Sequence, residues 1–104
     1  MCISDSLTCI QGRYLTPIAE VDTRRHAQLA FISGLLAFGR ILLAGRRTPA
    51  DGSILVFRVD DAGAALTTLE DDPYIAACVV AYDAVGVFTP GAHAPELASV
   101  LTPG

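Results

Sequence analysis

His26 and the run Asp72-Pro73-Tyr74 are the two places in this 104-residue chain where residue types suited to chemistry stand at the edge of apolar elements. An imidazole changes charge near neutral pH and a carboxyl group can orient it, so the pair suits proton transfer on a bound substrate. On this reading His26 is the acid or base, Asp72 its partner, and both are candidate catalytic residues. Each also has a plainer reading. A histidine at a core edge often makes a structural hydrogen bond, and an aspartate ahead of a proline is a good helix N-cap. Capping uses one oxygen of Asp72 and leaves the other for His26 or a ligand.

The remaining polar residues offer fewer options. All seven basic residues are arginines, which excludes Schiff-base lysine chemistry and a P-loop lysine. There is no asparagine, hence no Cys-His-Asn triad, and no G-x-S-x-G or G-x-G-x-x-G run. Cys2, Cys9 and Cys78 follow no C-x-x-C spacing, and with only two histidines they point to neither a disulfide framework nor a metal site. Reduced thiols imply a cytoplasmic protein. Arg46 and Arg47 fall in a loop where they either hold an anion such as a carboxylate or phenolate or are simply solvated. Tyr14, Tyr74 and Tyr82 read as packing residues, Tyr74 having the option of supplying a phenol beside the pair. His93 sits in a Pro/Gly-rich tail.

These residues are positioned by a single small domain. The composition is 52% apolar with a mean hydropathy of +0.48, a large excess for so short a chain. The net charge of −4 argues against nucleic acid and anionic membranes as partners. The apolar stretch between His26 and Arg40 is shorter than the roughly 20 residues a membrane span needs, and the first residues show no signal peptide.

Turn formers and periodicity divide the chain into a first strand over Leu7 to Leu15, a helix from about Pro17 to Phe38 capped by Thr16 or Asp22, and a strand over Ile41 to Ala44. Leu29, Ile32 and Leu36, beside Phe31, Leu35 and Phe38, form the buried face of that helix, and Gly39 ends it. His26, three residues before Leu29, is expected to lean toward the same face. A loop over Gly45 to Gly52 leads to a third strand, Ser53 to Val59. Asp60 or Asp61 caps a second helix whose inward stripe is Ala62, Ala65, Leu66 and Leu69. The last strand is Val79 to Phe88, followed by a tail with a short helix around Glu96 to Leu101.

Strand, helix, strand, strand, helix, strand is the ferredoxin-like order, an α+β fold with both helices on one face of an antiparallel sheet. The third strand is apolar on both faces, with Leu55, Phe57 and Val59 against Ile54 and Val56. The fourth is expected to place Val80, Tyr82 and Phe88 on one side and Val79, Val85 and Val87 on the other. Two covered faces are implied, so a second copy of the chain is expected to pack sheet against sheet as a homodimer, with higher assembly left open.

The blocks Arg25-His26-Ala27-Gln28-Leu29, Gly39 to Gly45, Gly52 to Val56 and Asp72-Pro73-Tyr74-Ile75-Ala76-Ala77 together resemble the YciI-like family, also called the YCII-related domain. The resemblance implies a dimeric α+β barrel over residues 1–90, with 91–104 as a tail, and an active site in which the family's histidine and aspartate match His26 and Asp72. Two positions depart from the family pattern. Arg46 stands where proline is common, and Thr23 stands three residues before the histidine, where arginine is common. The candidate substrate-binding residues are Arg25, Arg46, Ser53 and Tyr74. The function implied is a cofactor-independent lyase or isomerase using the His-Asp pair on a small, cyclic substrate. The alternative is a non-catalytic dimeric binding or accessory module.

Overall fold

The computed structural model describes residues 6–59, 61–92 and 94–97. Four antiparallel strands, β1 (Leu7–Tyr14), β2 (Ile41–Arg46), β3 (Gly52–Phe57) and β4 (Val80–Phe88), form one sheet in the order β2-β3-β1-β4, the ferredoxin-like arrangement. Across the register, Ile10 faces Leu55 and Leu55 faces Ala44, so Ile10, Leu55, Phe57 and Ile41 line the face that the helices cover. There they pack with Ile32 of helix α2 (Arg25–Ala37) and Ala65 of helix α3 (Ala62–Thr68) as the main core.

The expected first helix is divided in two. A short α1 (Ile18–Asp22) precedes α2, with Thr23 and Arg24 between them. Neither Thr16 nor Asp22 caps: Pro17 occupies the N-cap position of α1, Thr16 Oγ1 is buried without a partner among the described residues, and Asp22 is engaged elsewhere. Gly39, at φ +70°, ends α2 as expected, in a backbone conformation that glycine adopts without strain. Asp61 caps α3 by accepting from Gly63 N and Ala64 N. Asp60 lies outside the described residues. Within α3 and the turn after it, Ala65 and Leu69 are buried while Leu66 faces out.

Helix α2 is where pattern and structure part. Its buried residues are Gln28 and Ile32, backed by Phe31 and Leu35, whereas Leu29 and Leu36 are 52% and 43% exposed. Apolar side chains surround this helix, so spacing alone did not select the inward stripe. The fourth strand differs for another reason. Its register against β1 shifts between Gln11 and Gly12, a bulge that puts Val85 opposite Ile10 and Val87 opposite Thr8. Val85 and Val87 therefore share the helix-covered face with Val80 and Tyr82, and Phe88 faces away, the reverse of a regular alternation.

The second face of the sheet has no layer over it among the described residues. Paired positions Cys9–Val56, Leu43–Val56 and Gln11–Ile54 lie there, with Arg13 joined to Asp83 at its edge. Among its described residues the tail contributes a turn of 3-10 helix, Pro95–Leu97. Cys2, His93 and the rest of the helix expected around Glu96 to Leu101 lie outside the described residues. No helix among the described residues is long and apolar enough to cross a membrane.

Candidate functional site

A short helix α4 (Pro73–Ala76) begins the way Asp72-Pro73 dictates. Pro73 fills the first helical position, where a missing N–H costs nothing, and Asp72 Oδ1 accepts from Tyr74 N at 2.7 Å and Ile75 N at 3.3 Å. The second oxygen is also occupied. Asp72 Oδ2 accepts from Gln28 Nε2 at 3.0 Å and from the Tyr82 hydroxyl at 2.8 Å. With 0% of its surface exposed, Asp72 spends both oxygens on four protein donors.

The helix α2 residue that meets Asp72 is therefore Gln28, not His26. No hydrogen bond or ion pair joins His26 to Asp72, and His26 is exposed on α2. The reason is helical geometry. At about 100° per residue, His26 and Gln28 point roughly 200° apart. Once Gln28 faces inward with Ile32, four residues on, His26 falls in line with Leu29 and Ala30 on the exposed side. The expected histidine-aspartate contact is thus replaced by an amide-carboxyl contact. Gln28 is fixed at both ends, since its Oε1 also accepts a longer bond, 3.3 Å, from Tyr74 N.

This network forms one wall of a cavity of about 200 Å³ between α2, α4 and the covered face of the sheet. Leu29, Ile32, Leu55 and Ala44 supply apolar lining, and Arg25, Arg46, Ser53 and Tyr74, the four expected ligand-binding residues, all line it. Gln28, Tyr14 and Tyr82 line it as well. Sequence reading passed over Gln28 because an uncharged amide does not advertise chemistry. Its signal was position: four residues before Ile32 and three after Arg25.

Arg46 is held in a frame of its own. Its Nε donates to the Tyr14 hydroxyl at 3.0 Å, its Nη2 to Asp22 Oδ1 at 2.6 Å, and its guanidinium lies 5.5 Å from the centre of the Tyr14 ring. Partial burial works against the charge, but the bonds to Asp22 and Tyr14 outweigh it and hold the arginine more firmly protonated than usual. Tyr14 also packs edge-on against Tyr74, with ring centres 6.1 Å apart. Burial first, then Tyr14, raises the Tyr74 phenol above its ordinary range, with Arg46 and Arg25 pulling the other way. Tyr82 is pushed higher, chiefly by burial and next by Asp72, so its hydroxyl keeps the proton it donates.

Two glycines let the strands close around this site. A Cβ on Gly12 would stand 2.7 Å from the Tyr82 ring, and one on Gly52 would overlap the backbone carbonyl of Gly12. Without side chains at both, β1 packs closely under the Tyr82 ring of β4 and against β3 at Gly52, next to Ser53.

The model of the YCII-related domain matches residues 8–89, nearly all of the described chain. The chain belongs to the YCII-related domain family. No curated protein matches the sequence. Among solved structures, the YCII-related fold here is similar to 5-chloro-2-hydroxyhydroquinone dehydrochlorinase (TftG) from Burkholderia phenoliruptrix AC1100, in complex with 2,5-dihydroxybenzoquinone. The TM-score is 0.62 at 18% identity, covering 88% of this chain and 98% of that one, a likeness of fold.

Proposed function

We propose that this YCII-related protein is a binding module for a small, cyclic organic ligand, held in the cavity between α2, α4 and the sheet, and that it does not run histidine-based acid-base chemistry. The observation that carries this reading is the closed Gln28–Asp72–Tyr82 network. An amide neither gives up nor takes a proton near neutral pH, the Tyr82 phenol is pushed away from neutrality, and Asp72 has no oxygen left for a substrate. Gln28 also fits the family pattern better than His26 as the residue in the histidine's place. Counted from Gln28, the residue three positions earlier is Arg25, which supplies the arginine that counting from His26 does not find.

The lyase or isomerase alternative needs His26 to act on a ligand, and its exposed position on α2 weighs against that. The quinone bound by the structural neighbour gives the class of ring to try first. A direct comparison is to incubate the protein with 5-chloro-2-hydroxyhydroquinone and 2,5-dihydroxybenzoquinone, following thermal stability and chloride release together. The expected result is a saturable rise in Tm, the mark of ligand binding to the native state, with no chloride above the spontaneous rate. Chloride release that disappears in His26→Gln would restore the acid-base reading.

The module works as a homodimer in this proposal. An apolar face built on half-buried Ile54 and Val56 and exposed Leu43, with Gln11 and Arg13 at one side, is suited to sheet-on-sheet packing against a second copy. Light scattering at micromolar concentration is expected to give twice the chain mass. Val56→Glu should weaken association by about 10-fold or more, because it buries an unpaired charge. A folded monomer of the parent chain would overturn the dimer.

A further inference from the structure

The charged side chains lining the cavity are lopsided. Among the described residues no aspartate or glutamate lines it, whereas two of the chain's seven arginines, Arg25 and Arg46, do, in a protein of net charge −4. Gln28 Oε1 is already taken by Tyr74 N, and Nε2 uses one of its two hydrogens on Asp72. The second hydrogen lies toward the Tyr82 oxygen. A guanidinium carries five N–H groups. Arg46 gives one to Tyr14 and one to Asp22, and even with the Tyr74 hydroxyl in its field it has donors to spare. Ser53 Oγ is buried and makes no full hydrogen bond among the described residues, though it lies close enough to the Tyr82 oxygen to act on that phenol.

Arg46 and Ser53 are directly paired across β2 and β3, so their side chains leave the same face of the sheet side by side. Paired Cβ atoms stand about 5 Å apart. That spacing suits two oxygens of a single head group, one on the guanidinium and one on the hydroxyl. A buried hydroxyl without a partner is costly, and a ligand that satisfies it recovers that cost.

We propose that the cavity selects one planar ring carrying an ionised oxygen group, of the carboxylate or hydroxyquinone type, with that group seated on the Arg46–Ser53 pair. This rests on the reading of the cavity as a ligand site and adds the charge and donor pattern of the ligand. The volume suits one ring. A cavity of about 150 Å³ is known to hold benzene, and the 200 Å³ here adds room for its substituents.

Isothermal titration of the full chain at pH 7 with 2,5-dihydroxybenzoquinone and benzoate, both anionic, and with neutral 1,4-dihydroxybenzene separates the possibilities. The anions are expected to bind about 10-fold or more tightly than the neutral ring, since charge-assisted bonds are the stronger kind. Arg46→Gln should weaken the anions by about 10-fold and Ser53→Ala by about 3-fold, in each case more than the neutral ring is weakened. Because Arg46 also ties Asp22 to Tyr14, Ser53→Ala serves as the second variant should Arg46→Gln fail to fold, as judged by its melting curve. Equal affinity for charged and neutral rings, or anion binding untouched by Ser53→Ala and by any folded Arg46→Gln, overturns the inference while the cavity stands as a ligand site. Failure of every ring to bind is a separate result, and it removes the proposed function along with the inference.

Discussion

Asp72→Ala is expected to cost about 3–5 kcal/mol, the sum of a lost N-cap and of buried donors left without an acceptor. Removing the carboxyl group strands Ile75 N, leaves Tyr74 N only its longer bond to Gln28 Oε1 at the start of α4, and strands Gln28 Nε2 and the Tyr82 hydroxyl in the cavity wall. The whole stability of a domain this size is about 5–15 kcal/mol, so a large part of it is at stake. Asp72→Asn separates the two jobs of the residue. Its carbonyl oxygen can still cap α4, but its NH2 group then meets two donors, and roughly half of the alanine effect should remain. Urea midpoints of the parent and both variants test this. An alanine variant within about 1 kcal/mol of the parent would mean that the four bonds to Asp72 are replaced by water at little cost.

Most of what was legible in the sequence was written in local chemistry. Asp72-Pro73 and Asp61 announce helix starts through a side chain that caps its own backbone, and Gly39 announces a helix end by its tolerance of positive φ. The strand order followed from runs of apolar residues bounded by turn formers, and the ferredoxin-like sheet is the one observed. Illegibility began where two choices were locally equivalent. Leu29 and Leu36 are as apolar as Phe31 and Ile32, so nothing within α2 selects its buried face; the face that is buried packs Ile32 into the core and brings Gln28 to Asp72, 44 residues away. The same holds for β4, where a bulge opposite Gln11 and Gly12 reverses which valines face the helices without a glycine or proline in β4 at that point to betray it.

The site inherited that ambiguity. Reading Leu29 as buried carried His26 inward with it, and reading Ile32 as buried carries Gln28 inward instead, a difference of two residues that exchanges a titrating ring for an amide. Arg46, Ser53 and Tyr74 were legible because they flank turns and strand ends that converge in this fold whichever face α2 presents, whereas Arg25 reaches the cavity on the same turn of α2 as Gln28.

Gln28→Glu and His26→Gln test this assignment with opposite outcomes. A carboxyl group introduced at position 28 would lie against Asp72 Oδ2, where the amide now stands at 3.0 Å. Two buried carboxyl groups in contact cannot both ionise cheaply, so the pair is expected to retain one shared proton and titrate above the ordinary carboxyl range near pH 4. The sign follows from proton counting. The folded variant holds a proton that its unfolded chain releases near pH 4, so its stability falls as pH rises from there through the raised folded value. Relative to the parent, Gln28→Glu should lose about 3 kcal/mol or more at pH 7.5, the scale of an uncompensated buried charge, and markedly less at pH 5. His26→Gln, on the exposed side of α2, should stay within about 0.5 kcal/mol of the parent at both pH values, as surface substitutions do. Urea unfolding at pH 5 and pH 7.5 reads both. If the His26 variant were the destabilised one and Gln28→Glu behaved as the parent, then His26 would be the residue facing Asp72 in solution, and the cavity would hold the acid-base pair after all.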